Sequence, residues 1–329
     1  MPLVAPPDPA LRAFLLRLSA ALAAALAPGA PPRAHPVAPE AAPPVPVGVV
    51  FPDIADPLRG VFTEIVKGIE EQLQQRVHAW PLAAEFDPSE LAASIKRHGV
   101  RVLIALGRQG LRAADALDPA LAVLVSGISS LPEPARYSGI CLTPDPALLF
   151  ARLRSLAPGV RRVAVVYNPQ HNEWLLRLAR DAARLHGLDL APLEASDLAG
   201  AARLYRKVFA DADGSRDALW LPTDATTVDE TTIVPLVLRE AWDRALPVFS
   251  SSVLHVRKGV LFALYPNNSE LGRSLGTLAT GLLGPEPAPR TMLPLREVHA
   301  AVNLRTAGHL GIAAAALAQR SFQLVYPEP

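Results

Sequence analysis

The sequence predicts an α/β protein of two doubly wound, parallel-sheet lobes, and three observations carry that prediction. Short apolar runs alternate with stretches whose apolar residues recur at helical spacing, joined by short connections. This alternation runs through the chain once and starts again after Pro144. Polar residues follow nearly every apolar run, at Asp53, Arg108, Ser126, Asn168, Ser196, Asp224 and Ser250. In open α/β sheets ligands bind beyond the carboxyl ends of the strands, so two such series imply a cleft lined by these residues. At 329 residues the chain is long enough for two domains, each with its own core.

In the first series, Pro46–Pro52 reads as a buried strand bounded by prolines, followed by the loop Asp53–Pro57. Leu58–Gln75 is a helix, with Val61, Ile65, Ile69 and Leu73 on one face. Ala79–Phe86 is a weaker strand, and Glu90–His98 a helix closed by Gly99. Val100–Leu106 is a strand running through Gly107-Arg108-Gln109-Gly110 into the helix Leu111–Leu117, and Ala122–Ser126 is the next strand.

The second series opens with the helix Ala147–Leu156, broken by Pro158-Gly159. The strand Arg162–Tyr167 ends at Asn168-Pro169, and the helix Trp174–His186 ends at Gly187. Asp189–Glu194 is a strand, Leu198–Ala210 a helix, and Ala218–Leu221 a short apolar strand stopped by Pro222. A helix is expected over Val228–Arg239, strands over Pro247–Ser250 and Val260–Leu264, and a helix over Leu271–Leu283. Glu297–Asn303 reads as extended and Leu304–Leu310 as helical.

Composition narrows the function. Net charge is +1, so nothing marks a nucleic-acid surface. Cys141 is the only cysteine, which rules out an intrachain disulfide and a thiolate zinc cluster, and it reads as a small buried apolar side chain. Arg12 and Arg17 precede the apolar run Leu18–Ala27, and Ala25-Leu26-Ala27 offers an A-x-A site, the layout of a secretory signal peptide. An Ala-rich helix of a cytosolic protein is the alternative. Pro28–Pro46 reads as an extended linker. No cysteine follows the apolar run, so the exported product is expected free in the periplasm, without a lipid anchor.

The stretch Asp217–Glu230 places Thr223, Asp224, Thr226 and Thr227 just beyond a strand, where hydroxyls, a carboxylate and backbone N–H groups meet a ligand. Thr226, Thr227 or Asp229 also reads as a helix cap, and capping does not exclude ligand contact. Catalytic signatures are missing. H-E-x-x-H does not occur, and Gly107–Gly110 lacks the pattern of a phosphate loop. His171, His186 and His255 are scattered, and no base is evident beside Ser250–Ser252. Asp53 and Asp56 read as turn chemistry rather than as an acid/base pair. The expectation is a binding protein, not an enzyme, with no cofactor.

The order of motifs resembles the ABC-transporter substrate-binding family of the tryptophan and aromatic-amino-acid type, with the type I periplasmic binding protein fold. Carrying the resemblance are Ser138-Gly139-Ile140, Pro158–Pro169, Ala218–Thr227, Leu246–Ser252, Lys258-Gly259 and Asn303–Gly311, over about residues 46–312. It implies a receptor whose chain crosses a hinge three times, near Thr143, Leu264 and Ala288. Residues 1–45 would be signal peptide and linker, 46–143 with 265–288 one lobe, and 144–264 with 289–329 the other. A small ligand, an amino acid or related carboxylate, would be enclosed between the lobes of a monomer and delivered to an ABC permease and its ATPase.

By matching motif, Asp224 would take a ligand ammonium, with Thr223, Thr226 and Ser250 nearby. Asp56, Arg108, Gln109 and Ser126 would face them from the other lobe, and Tyr167 and Asn168 would close the pocket. The chain departs from the family where Gly107-Arg108 stands in place of Gly-Thr, and where Gly127-Ile128-Ser129-Ser130 replaces Asp-Pro after Ser126. Arg108 would clamp a carboxylate or re-specify the site. An accessory or sensory protein serving a signalling receptor or an outer-membrane uptake system is the alternative function.

Overall fold

The structure, a computed structural model, describes residues 46–129, 136–284, 290–313, 317 and 322–327. The expected signal peptide and linker, Ser130 and the expected crossing near Ala288 lie outside the described residues. The chain divides into two units at Pro43/Pro44, and the second holds every element below.

The first part of the chain gives β1 (Val47–Pro52), α1 (Leu58–Leu73), β2 (His78–Leu82), α2 (Pro88–Arg97), β3 (Val102–Leu106), α3 (Gly107–Ala116), β4 (Ala122–Ser126) and β5 (Ser138–Pro144). The second gives α4 (Pro146–Leu156), β6 (Arg162–Tyr167), α5 (Pro169–Leu185), β7 (Asp189–Glu194), α6 (Leu198–Asp211), β8 (Asp217–Leu221), α7 (Ile233–Asp243), β9 (Val248–Ser250), α8 (Val253–Lys258) and β10 (Phe262–Pro266). The remainder is α9 (Asn268–Leu282), β11 (Met292–Leu295), β12 (Val298–Asn303), α10 (Leu304–His309) and β13 (Leu324–Tyr326).

Two sheets result, as the alternation requires. One has the order β11-β5-β4-β3-β1-β2 and is parallel throughout. The other has the order β13-β12-β10-β9-β8-β6-β7, parallel except where β10 meets β12. Every residue of β3 and β8 is buried, because helices cover both faces. Prolines mark the sheet edges: Pro81 in β2, Pro294 in β11, Pro192 in β7 and Pro327 directly after β13. A residue without an N–H blunts an edge against further pairing.

The second sheet is centred on aromatic packing. Trp220, Phe249 and Phe262, on the neighbouring strands β8, β9 and β10, stack with centroids 6.3 and 5.3 Å apart, and Phe150 of α4 meets the first two edge-on. Cys141 in β5 is fully buried, and burial pushes its thiol up to about 11.

The chain leaves the first sheet after Pro144, returns after Pro266 and leaves again between Leu295 and Val298. Because β11 pairs with β5, the last departure lies beyond Ala288, and residues 292–295 sit in the first sheet rather than the second. The crossings are bonded to one another. Asp145 N–H donates to Leu295 O at 2.8 Å, and Asn267 N–H to Glu297 O at 2.9 Å. Arg296 pairs with the Asp145 carboxylate at 3.0 Å. All three crossings lie at the carboxyl ends of parallel strands, so those ends of the two sheets are drawn toward each other.

The helix after the second crossing, α9, packs on α1 through glycines. A Cβ at Gly68 would lie 2.1 Å from Ser269 O, and one at Gly272 would lie 2.1 Å from Ile65 O. Only a residue without a side chain admits that approach.

Several expectations shift at their edges. Four elements were not legible: β5, β11, α8 and β13. The helix expected from Val228 starts at Ile233, because the Asp229 carboxylate accepts the N–H groups of Thr231 and Thr232 and holds that stretch in a turn. Conversely, α5 starts at Pro169, five residues before the first expected position, with Asn168 as its N-cap and Pro169 in its first turn.

Candidate ligand-binding site

Both sheets reverse their winding at one point. In the second sheet β6 connects outward to β7, whereas β8 leads the other way, so the loops after β6 and β8 part at that position. In the first sheet the same holds for β1 and β3. These are the topological switch points, where a crevice opens beyond the strand ends. Asn168 and Asp224 follow β6 and β8; Asp53–Pro57 and Gly107-Arg108 follow β1 and β3.

At the second-sheet crevice Asp224 is 6% exposed, and its carboxylate is filled by donors of the chain itself. Its Oδ2 accepts the Asn168 N–H at 2.7 Å and Asn172 Nδ2 at 3.0 Å. Its Oδ1 accepts the N–H groups of Thr226 and Thr227 at 2.9 and 3.2 Å. A carboxylate offers about four lone-pair positions, and all four are taken. Asn168 reinforces the join through Nδ2 to Thr226 Oγ1 at 3.3 Å, while its Oδ1 caps α5 at Gln170 N–H. The geometry gives Asp224 the work of a staple between the two loops. Thr223 stands beside it, exposed.

The neighbouring loop is fixed by Ser250. This residue is fully buried; its Oγ lies 2.7 Å from His255 Nδ1 and 3.2 Å from Leu221 O, and accepts the Ser252 N–H at 3.0 Å. His255 Nε2 meets Glu230 Oε1 at 2.8 Å, and Glu230 Oε2 meets Lys258 at 2.5 Å. Burial pushes the Glu230 carboxyl up, but hydrogen bonds from Lys258 and His255 outweigh it and hold it below its ordinary value. The sequence reading found no base beside Ser250, and the structure supplies one. The arrangement still differs from a hydrolytic triad, which presents Nε2 to the serine and Nδ1 to the carboxylate. With its oxygen enclosed and bonded on three sides, Ser250 holds its loop in place.

In the first sheet, Gly107 has φ 70°, and a Cβ there would press on Pro52 at 3.2 Å. Its freedom lets α3 begin directly at the strand end, with Arg108 exposed in the first turn. A cation there is disfavoured by the helix dipole, so the guanidinium and the N-terminal N–H groups together favour an anion. Gln109 is committed elsewhere: its amide donates to Ala83 O and to Ala84 O, the latter at 2.8 Å, tying α3 to the loop after β2. Asp56 is exposed in the loop after β1.

The structure thus brings Asn168, Asp224 and Thr226 into direct contact, with Thr223 and Ser250 in the adjoining loops. Ser126 and Tyr167 are fully buried and bonded inside their own lobes. Ser126 Oγ donates to Ile140 O at 2.7 Å, and the Tyr167 hydroxyl lies between Glu173 and Glu194 at 3.0 and 3.1 Å. Asn172, His255 and Glu230 were missed as site residues. Asn172 lies in a helical turn with no apolar periodicity, His255 sits in the six-residue α8, too short for periodicity to reveal, and Glu230 lies 25 residues before it on another loop. No cluster of metal-ligating side chains occurs among the described residues.

A family model described as ABC transporter substrate binding protein matches residues 151–322, just over half of the chain. The chain belongs to this family. A comparison with curated proteins finds no match. Among solved structures, this substrate-binding protein is similar to the ligand-free, open structure of a substrate-binding protein with adhesive properties from Clostridium difficile. The TM-score is 0.59 at 18% identity, covering 85% of this chain and 99% of the other. An ABC domain in complex with L-Trp from Streptococcus pneumonia matches with TM-score 0.49 at 18% identity, over 85% and 99% of the two chains. A periplasmic ribose ABC transporter structure from Conexibacter woesei matches with TM-score 0.45 at 14% identity, over 82% and 94%. The first of these and the two sheets agree on the type I periplasmic binding protein fold. No helix among the described residues is long and apolar enough to cross a membrane.

Proposed function

We propose that this substrate-binding protein is periplasmic, captures a small carboxylate between its two lobes, and hands it to an ABC permease driven by its ATPase. The observation that carries the reading is the contrast between the two switch points. On the second sheet the side chains are already bonded to one another and form a shaped, largely satisfied wall. On the first, Arg108 presents an exposed guanidinium on a helix N-terminus, and no hydrogen bond or ion pair engages it among the described residues. A planar guanidinium pairs bidentately with a carboxylate. Thr223, exposed beside the staple, adds a hydroxyl from the facing loop, and lobe closure would bring the two sides together.

Asp224 serves this site by holding the loop in shape. A ligand ammonium, where one is present, would meet the exposed Asp56. Residues 1–45 supply the export signal in this reading, and the mature receptor acts as a monomer.

A thermal-shift screen of the mature chain against carboxylates, amino acids, peptides and sugars tests the proposal. A ligand that binds only the native state raises the melting temperature through RT ln(1 + [L]/Kd). Shifts from carboxylates that disappear in Arg108→Gln support the reading. Shifts from uncharged sugars alone, or none from the whole panel, overturn it.

A further inference from the structure

A cavity of about 790 Å³ opens on the second lobe away from the switch-point crevice. It lies where α7 ends, where Gly259 leads toward β10, and where the antiparallel β12 finishes at Asn303. That is the end of the sheet at which the parallel strands β9 and β10 begin, opposite Asn168 and Asp224. Its wall is basic and aromatic. Arg239, Arg257, Lys258 and Arg305 line it, against a single acid, Asp243, with Trp242 as an apolar wall.

The cations differ in how far they are engaged. Lys258 is held by Glu230 at 2.5 Å, and Arg239 lies 3.8 Å from Glu240. Arg305 stacks over Trp242 at 5.4 Å, where His309 also packs at 3.8 Å, so the indole fixes that arginine in place. Arg257 is exposed and has no hydrogen bond or ion pair among the described residues. Two guanidiniums open to one cavity, one of them pre-positioned on an indole, make a receptor for an oxyanion that accepts several N–H donors.

We infer that this cavity is a second binding site, for a phosphate-bearing ligand, separate from the carboxylate crevice. Arg257 and Arg305 grip the phosphate oxygens, and Trp242 forms the wall beside them. The same chemistry is offered by a free phosphate compound and by an anionic lipid headgroup. The site does not depend on the carboxylate reading, since none of its residues lies at the switch points.

The test uses the full chain and two probes: inorganic pyrophosphate, followed by tryptophan fluorescence, and phosphatidylcholine vesicles with or without phosphatidylglycerol, followed by co-sedimentation. Pyrophosphate is expected to change the emission of the wild type but not of Trp242→Phe. Arg257→Gln and Arg305→Gln are each expected to weaken binding about tenfold, the effect of losing one charged hydrogen-bond donor. Arg257 and Arg305 are both exposed, and melting curves of the variants confirm folding. Binding of pyrophosphate that falls in both variants establishes a site for soluble phosphates. Co-sedimentation with phosphatidylglycerol vesicles alone, falling in the same variants, establishes a headgroup site. Binding of neither probe, or binding untouched by both substitutions, overturns the inference.

Discussion

The backbone N–H of Asn168 donates to the Asp224 carboxylate at 2.7 Å, across 56 residues of sequence. This bond and its three companions join the loops after β6 and β8 at the point where the sheet reverses its winding. Asp224→Ala would remove the carboxylate from four N–H donors at once, leaving only Thr227 with another acceptor, the residue 224 carbonyl, in a setting that is almost fully buried. We expect a loss of about 2–4 kcal/mol in unfolding free energy, and ligand affinity reduced by about tenfold or more because the crevice wall loses its shape. Denaturant unfolding and calorimetric titration measure the two effects separately. Unchanged affinity in a folded Asp224→Ala protein would remove this loop from the site.

The two halves of that bond were unequally legible. Both residues stand out in sequence as polar positions after an apolar run, because strands announce themselves by burial and end at Pro169 and Pro222. Their mutual contact could not be read, since it depends on which strands become neighbours. The same limit hid the base beside Ser250. His255 lies only five residues away, but α8 is too short for periodicity to reveal, and Glu230 belongs to another loop. Assigning Asp224 to a ligand ammonium follows from the family motif, which does not carry the N–H donors that converge on it. Arg108 was legible as a departure, because a charged residue directly after a buried strand and a glycine has few structural uses.

Tyr205 lies fully buried in α6, and its hydroxyl has no hydrogen-bond partner among the described residues. Burial pushes its ionisation upward, and the nearby Asp224 charge adds to the shift. An enclosed, unpaired hydroxyl is a cost to folding. Tyr205→Phe is expected to leave stability unchanged or raise it by about 1 kcal/mol, measured by denaturant unfolding. A clear loss would mean that the hydroxyl has a partner.

Arg162 grips Asp217 with two hydrogen bonds, at 3.0 and 2.6 Å, between the starts of β6 and β8. Burial raises the Asp217 carboxyl, but the bonds from Arg162 and from the Asp213 N–H outweigh it, so the folded value lies below the ordinary one. A depressed carboxyl contributes stability in full above its unfolded value, about 3.9, and loses it as pH falls through the lower folded value. Unfolding free energy should therefore decline below about pH 4. Asp217→Asn should flatten part of that decline. An acid limb identical in the variant would show that the pair adds nothing.

The contact of α1 with α9 predicts intolerance at Gly272. An added methyl would meet the backbone oxygen of Ile65, which can yield only by separating the helices. Gly272→Ala should cost about 2 kcal/mol or more, read from the denaturation midpoint. Gly281, at which a Cβ would meet nothing within 4 Å, is the matched control and should tolerate alanine.

Closure of the lobes on a carboxylate held by Arg108 is the central claim, and small-angle scattering tests it most directly. The radius of gyration would be measured for the wild type and Arg108→Gln, each alone and saturated with the carboxylate found by thermal shift. The account predicts that the ligand contracts the wild type, while the variant neither binds nor contracts at the same concentration. A ligand that binds the wild type without contracting it, or that contracts the Arg108→Gln protein equally, would contradict the account.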